Sequence, residues 1–122
     1  MIGYVTLGTN DFERAASFYD ALLGEIGAKR AMEMETFIAW ATAPNTPMIA
    51  IIKPFDKKPA TVGNGVMVAI MVDSKEKVQA LYKKALALGG KNEGAPGERG
   101  PGFYAGYFRD LDGNKLNAFV LG

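Results

Sequence analysis

An internal repeat constrains the fold of this chain more than any other feature. Shifted against itself by 63 residues, the chain aligns "GYVTLGTNDFERAASFYDALLGEIGAK", from Gly3, with "VMVAIMVDSKEKVQALYKKALALGGK", from Val66. Tyr4 then falls on Met67, Val5 on Val68, Leu7 on Ile70, Glu13 on Glu76, Tyr19 on Tyr82 and Gly27 on Gly90. Identities are few, but each copy runs from a short apolar strand through a polar cap and an amphipathic helix to glycine. A sequence with this self-similarity is expected to fold as two copies of one unit.

The spacing of apolar residues predicts a first helix from about Asn10 or Asp11 to Gly24. Thr9, Asn10 or Asp11 is its cap, and Phe12, Ala15, Ala16, Tyr19, Leu22, Leu23 and Ile26 form its buried stripe. The second helix is expected over about Ser74–Leu88. Asp73 or Ser74 caps it, Val78, Leu81, Ala85 and Leu88 face inward, and Gly89 and Gly90 stop it. Three strand-like stretches follow each helix: "AKRAME", "TFIAWATA" and "PMIAIIK" in the first half, "KNEGAP", "FYAGYFRD" and "KLNAFVLG" in the second. A Gly/Pro-rich loop, "GAPGERGPG", is expected before the middle strand of the second half.

Each half therefore reads β-α-β-β-β: module one at about 1–54, a linker at about 55–64 and module two at about 65–122, within a single domain 1–122. One helix on a four-stranded sheet leaves a sheet face bare, so neither half is expected to stand alone. The expected architecture is α+β, two βαβββ modules forming paired curved sheets around a cleft with helices on the outer faces. The linker "KPFDKKPATVGNG" reads as a solvated connector, with a lid over the cleft as the alternative.

Composition excludes several chemistries. There is no histidine and no cysteine. Ser–His, Cys–His and HExxH catalysis, disulfides and thiolate metal sites are thereby ruled out, and any metal would need oxygen ligands of the kind magnesium and calcium accept. A formal net charge of +1 with no basic stripe gives no reason to expect nucleic acid or an anionic membrane as partner. Apolar runs such as "VMVAIMV" are far below spanning length, so no membrane partner and a cytoplasmic location are expected.

The segments "VTLGTNDFERAASFYDALLG", "VMVAIMVDSKEKVQAL" and "FRDLDGNKLNAF", together with the duplication, resemble the vicinal oxygen chelate superfamily. That group includes glyoxalases, bleomycin-resistance proteins and extradiol dioxygenases. The first segment is similar to the family's strand followed by "D…A..FY…LG", and the last is close to a signature in which an acidic residue follows "DPDGN". Metal-dependent members generally place a histidine in a module's first strand and a glutamate in its last. By resemblance these positions fall on Tyr4 and Met67, and on Asn117 with either Ala50 or Ile52 as its first-module counterpart. None carries its usual ligand, so no metal and no cofactor are expected. The resemblance also implies a homodimer.

Candidate cleft residues follow from the same reading. Strand alternation puts Asn117, the one polar side chain of "LNAFVL", on the face of Lys115 and Phe119. Tyr4 and Thr6 face the expected cleft, as does Met67. Arg99 lies among glycines and is followed by Tyr104 and Tyr107, a combination suited to an anionic or aromatic small molecule. Trp40, the single tryptophan, either lines the cleft or packs in the core. The expected function is binding of a small organic molecule in the cleft. The alternative is a glyoxalase-like isomerase, lyase or related enzyme using a non-standard metal site or metal-free acid–base chemistry.

Overall fold

Both helices start where a side chain satisfies a free amide. In the computed structural model, which describes all residues 1–122, Asp11 accepts a hydrogen bond from the Arg14 amide (3.2 Å) and caps α1 (Phe12–Gly24). Ser74 does the same for the Lys77 amide (3.2 Å) at the start of α2 (Lys75–Ala87). Left-handed glycines end the helices, Gly27 (φ 78°) after α1 and Gly89 (φ 99°) after α2. Gly90, the repeat partner of Gly27, has a different role. A Cβ on it would lie 2.6 Å from the Arg109 carbonyl oxygen, so the chain can pass there only as glycine.

The strands are β1 (Tyr4–Gly8), β2 (Lys29–Met34), β3 (Phe37–Ala41) and β4 (Met48–Ile52) in the first module. In the second they are β5 (Val68–Met71), β6 (Lys91–Glu98), β7 (Phe103–Arg109) and β8 (Lys115–Leu121). The two sheets repeat one topology, β1-β4-β3-β2 and β5-β8-β7-β6, with the first pair parallel and the others antiparallel. The duplication read in the sequence is therefore the architecture found. One boundary differs: β6 continues to Glu98, through residues expected to form a loop. It does so with register shifts at Asn92/Gly94 and Gly94/Gly97, where glycines let a strand bulge.

Alternation gives each sheet a helix side and an open side. Leu7, Ile38, Trp40 and Ile51 lie under α1, and Ile70, Phe108, Leu116 and Ala118 under α2, all within a single apolar core. The two helices are neighbours, with Glu25 Oε1 and Lys84 Nζ 3.8 Å apart. Within one chain the modules thus join on their helix sides, and the open faces do not close on each other. The two βαβββ modules are as expected, but the expected cleft with helices on its outer faces is not formed within a single chain. Tyr4 and Met71 on those faces keep 55% and 65% of their surface in solvent.

The tightest link between modules is the β7–β8 turn. Asp110 Oδ1 accepts the amides of Asp112 and Asn114, both at 2.9 Å. Its Oδ2 accepts the Tyr19 hydroxyl of α1 (2.6 Å) and the Asn114 side-chain amide (2.9 Å). Asn114 Nδ2 also donates to the Gly8 carbonyl (3.0 Å), and Asp112 Oδ1 accepts the Asn10 amide (2.9 Å). Burial first, and then the Asp110 carboxylate, push the Tyr19 hydroxyl well above its ordinary pKa and hold it as a neutral donor. The linker is also tied down. Asn10 exchanges two hydrogen bonds with the Ala60 backbone (2.7 and 3.0 Å), and Val62 packs near Gly113.

Candidate functional site

The open face of the second sheet carries a concentrated set of polar groups. Strand register places Gly94, Tyr107, Asn117 and Ala69 in one row across β6, β7, β8 and β5. Small residues at both ends leave Tyr107 and Asn117 as the row's polar side chains. Asn117 is 1% exposed and its Oδ1 has no hydrogen-bond partner, the only buried side-chain polar atom of the chain in that condition. A buried amide oxygen without a donor costs roughly 1–3 kcal/mol. Such a cost is relieved when a bound water or ligand supplies a donor.

Two cations approach the Tyr107 ring: Arg99, with Cζ 5.4 Å from the centroid, and Lys115, with Nζ 5.6 Å away. Arg99 is held there by its own hairpin, since Nη2 donates to the Ala95 carbonyl (2.6 Å) and the Arg99 amide to Phe103 (2.8 Å). The glycines around it make room for its guanidinium. A Cβ on Gly97 would stand 2.9 Å from Nη1, and one on Gly94 would stand 3.3 Å from Nη2. Arg109, also on this face, is neutralised by Glu93 at 2.8 Å and donates to the Gly113 carbonyl. No carboxylate lies within 4.0 Å of Arg99 or Lys115. Phe103 and Phe119 stack at 5.3 Å on the same side, and Met67 and Met71 flank Ala69. A cavity of about 570 Å³ runs from Tyr107 and Lys115 to the 62–67 segment, so the linker rims this face.

The expected site residues divide between faces. Asn117, Tyr107, Arg99 and Met67 come together on the second sheet. Tyr4 and Thr6 also occupy an open face, but that of the first sheet, where Tyr4 packs edge-on against Phe37 (5.6 Å). Trp40 and Tyr104 do not line an open face. Trp40 is buried under α1, tilted against Tyr19 with its indole N–H on Asp20 Oδ1 (2.9 Å). That oxygen also accepts from Arg30 Nε (2.9 Å), and the Arg30 bond is the main reason the Asp20 carboxyl lies below its usual pKa. The Tyr104 hydroxyl accepts from Gln79 of α2 (2.9 Å), beneath Lys75. Both corrections follow from the period of two: Trp40 alternates with open-face Ala39, and Tyr104 lies three residues from Tyr107. Lys115, not among the expected site residues, was readable by the same rule from its place two residues before Asn117.

Larger spaces carry weaker signals. A cavity of about 700 Å³ at the ends of β1 and β4 is lined by Lys53, Lys57 and Lys58, but Thr9, its buried polar residue, is already bonded to Asp11. An apolar groove of about 620 Å³ runs between β5 and Val5, Trp40 and Ile49.

Two βαβββ modules joined on their helix sides, each presenting an open sheet face, define a duplicated-module protein of the kind that the sequence resembles. The chain belongs to the Glyoxalase/Bleomycin resistance protein/Dioxygenase superfamily, whose profile matches residues 1–118. A crystal structure of a glyoxalase/bleomycin resistance protein from Albidiferax ferrireducens is similar, with a TM-score of 0.92, 34% identity, and coverage of 100% of this chain and 99% of that one. A glyoxalase/bleomycin resistance protein/dioxygenase family enzyme from Burkholderia phytofirmans shares the fold at a TM-score of 0.79 and 21% identity, with 98% of each chain covered. Lactoylglutathione lyase from Agrobacterium tumefaciens shares it at 0.72 and 18%, covering 98% of this chain and 92% of that one. Among proteins of curated function, none matches the chain.

Register settles which residue is the first-module counterpart of Asn117. Asn117 pairs with Ala69, and Thr6, the repeat partner of Ala69, pairs with Ala50 rather than Ile52. The four positions where the resemblance would put metal ligands are thus Tyr4, Ala50, Met67 and Asn117. One amide, one phenol, one thioether and a methyl group do not fit a divalent metal. Nor does any cluster of three or more His, Cys, Asp or Glu side chains occur elsewhere. No helix is long and apolar enough to cross a membrane.

Proposed function

We propose that this chain is a metal-independent binding protein that takes a small organic molecule on the open face of its second sheet. The observation that carries the reading is Asn117. By resemblance it stands where metal-dependent relatives have glutamate, and its buried oxygen lacks any partner within the chain. A neutral amide there accepts a hydrogen bond from a ligand instead of holding a cation. Glu93, the carboxylate of β6 that meets this face, is occupied by Arg109, which leaves an acid–base mechanism without a free carboxylate beside Asn117.

The proposal includes a cytoplasmic homodimer. Tyr4, Met32, Met34, Met67 and Met71 are exposed on the open faces or their edge strands, and apolar surface of this kind is ordinarily covered in solution. A second copy laid over them would turn each open face into one wall of a cleft. Two measurements test the reading. Sedimentation should give twice the chain mass. Thermal melting with Mg²⁺, Mn²⁺, Fe²⁺, Ni²⁺ or Zn²⁺ in excess should leave the midpoint unmoved, because only an ion bound to the native state raises it. A stoichiometric metal that is lost in Asn117→Ala would overturn the metal-independent reading.

A further inference from the structure

We infer that the ligand of this face is a small organic carboxylate that also carries an N–H or O–H donor. The inference rests on the binding role proposed above and adds its chemical class. Three observations carry it. Asn117 Oδ1 is a buried acceptor without a donor, so the ligand must supply one. Arg99 and Lys115 approach the same Tyr107 ring and have no carboxylate within reach, whereas Arg109 next to them is paired. Gly94 and Gly97 leave room for the Arg99 guanidinium, which donates to the Ala95 carbonyl from beside the Tyr107 ring.

The geometry orders these groups. Lys115 and Asn117 alternate on β8, about 7 Å apart along the strand. Asn117 stands directly opposite Tyr107. A carboxylate between Arg99 and Lys115 would replace the ring as their partner, because a charge-assisted hydrogen bond is stronger than an exposed cation–π contact. The ligand's donor then meets Oδ1, and its apolar body rests on Met67, Met71 and Phe119. A cationic ligand would be repelled by the same two side chains. A metal ion at Asn117 would face that repulsion with a single neutral oxygen in return.

Three probes of one shape separate charge from fit: 4-hydroxybenzoate, its methyl ester and 4-hydroxybenzylamine. Each is titrated into ¹⁵N-labelled full-length protein and followed by amide shifts. The acid is expected to move the Tyr107 and Asn117 backbone resonances and the Asn117 side-chain amide, and to bind more tightly than the ester or the amine. Arg99→Met and Lys115→Met should each weaken the acid by about tenfold and leave the ester unchanged. Gly97→Ala should weaken it too, by displacing Arg99 without removing its charge. If the ester or amine binds this face as tightly as the acid, the carboxylate inference is overturned while the binding role stands. If none of the three moves β7 or β8, both fail.

Discussion

Asp110 and Asn117 are both buried polar side chains on the same hairpin, seven residues apart, and the chain treats them in opposite ways. Every oxygen of the Asp110 carboxyl has two donors, one of them from the other module. Asn117 Oδ1 has none. A satisfied network fixes structure, while an unsatisfied group is a standing cost that something outside the chain can relieve. The first is therefore the fold's clasp and the second the candidate recognition point, even though both lie within the "FRDLDGNKLNAFVLG" segment.

Asp110→Ala is the change expected to break the contrast most. It strands the Tyr19 hydroxyl and two backbone amides, and leaves the Asn114 side-chain amide with the Gly8 carbonyl alone. It should lower unfolding free energy by roughly 3–5 kcal/mol in urea titration. A loss below 1 kcal/mol would mean that the turn is not the clasp. Tyr19→Phe removes one bond to the carboxylate and should cost about 1.5–3 kcal/mol at neutral pH. It also changes the alkaline limb. The Tyr19 pKa is raised in the folded state, so its contribution is fully present below the unfolded value of about 10 and is lost as pH rises beyond it. The wild type should therefore lose stability above that pH more steeply than Tyr19→Phe does.

The smallest expected effect has the opposite sign. Asn117→Leu removes the unpartnered oxygen and keeps the side chain's approximate volume. It should leave the protein unchanged or more stable by up to about 1 kcal/mol, while removing the acceptor for the proposed ligand's donor. A clear destabilisation in melting curves would place Asn117 with Asp110 as a structural residue and remove the observation on which the proposed site stands.

The same comparison explains how legible each part was. The Asp110–Asn114 turn is local chemistry: Asp, Gly and Asn at fixed offsets close a hairpin through bonds spanning two to four residues. Tyr19 was equally visible as part of the buried stripe of α1. That these two pieces meet was not visible, since they are 91 residues apart and nothing local couples them. Asn117 was legible as an isolated polar residue in an apolar strand, and alternation correctly placed it with Lys115 and Phe119. For Trp40, open between cleft and core, and for Tyr104, expected in the cleft, the deciding quantity is the period of two, which puts both on helix sides.

By itself the sequence determined the duplication, both helices with a cap narrowed to two or three neighbouring residues each, and the order β-α-β-β-β in each half. These depend on hydrophobic period and backbone preference within a few residues, which are local quantities. Only the tertiary structure decided which side of each sheet took the helix and that the modules join through those helix sides. The same holds for Arg99, an exposed side chain whose guanidinium nonetheless lies beside Gly94, Gly97 and the Tyr107 ring. Each of these outcomes depends on residues far apart in the chain competing for one surface, and no window of sequence contains that competition.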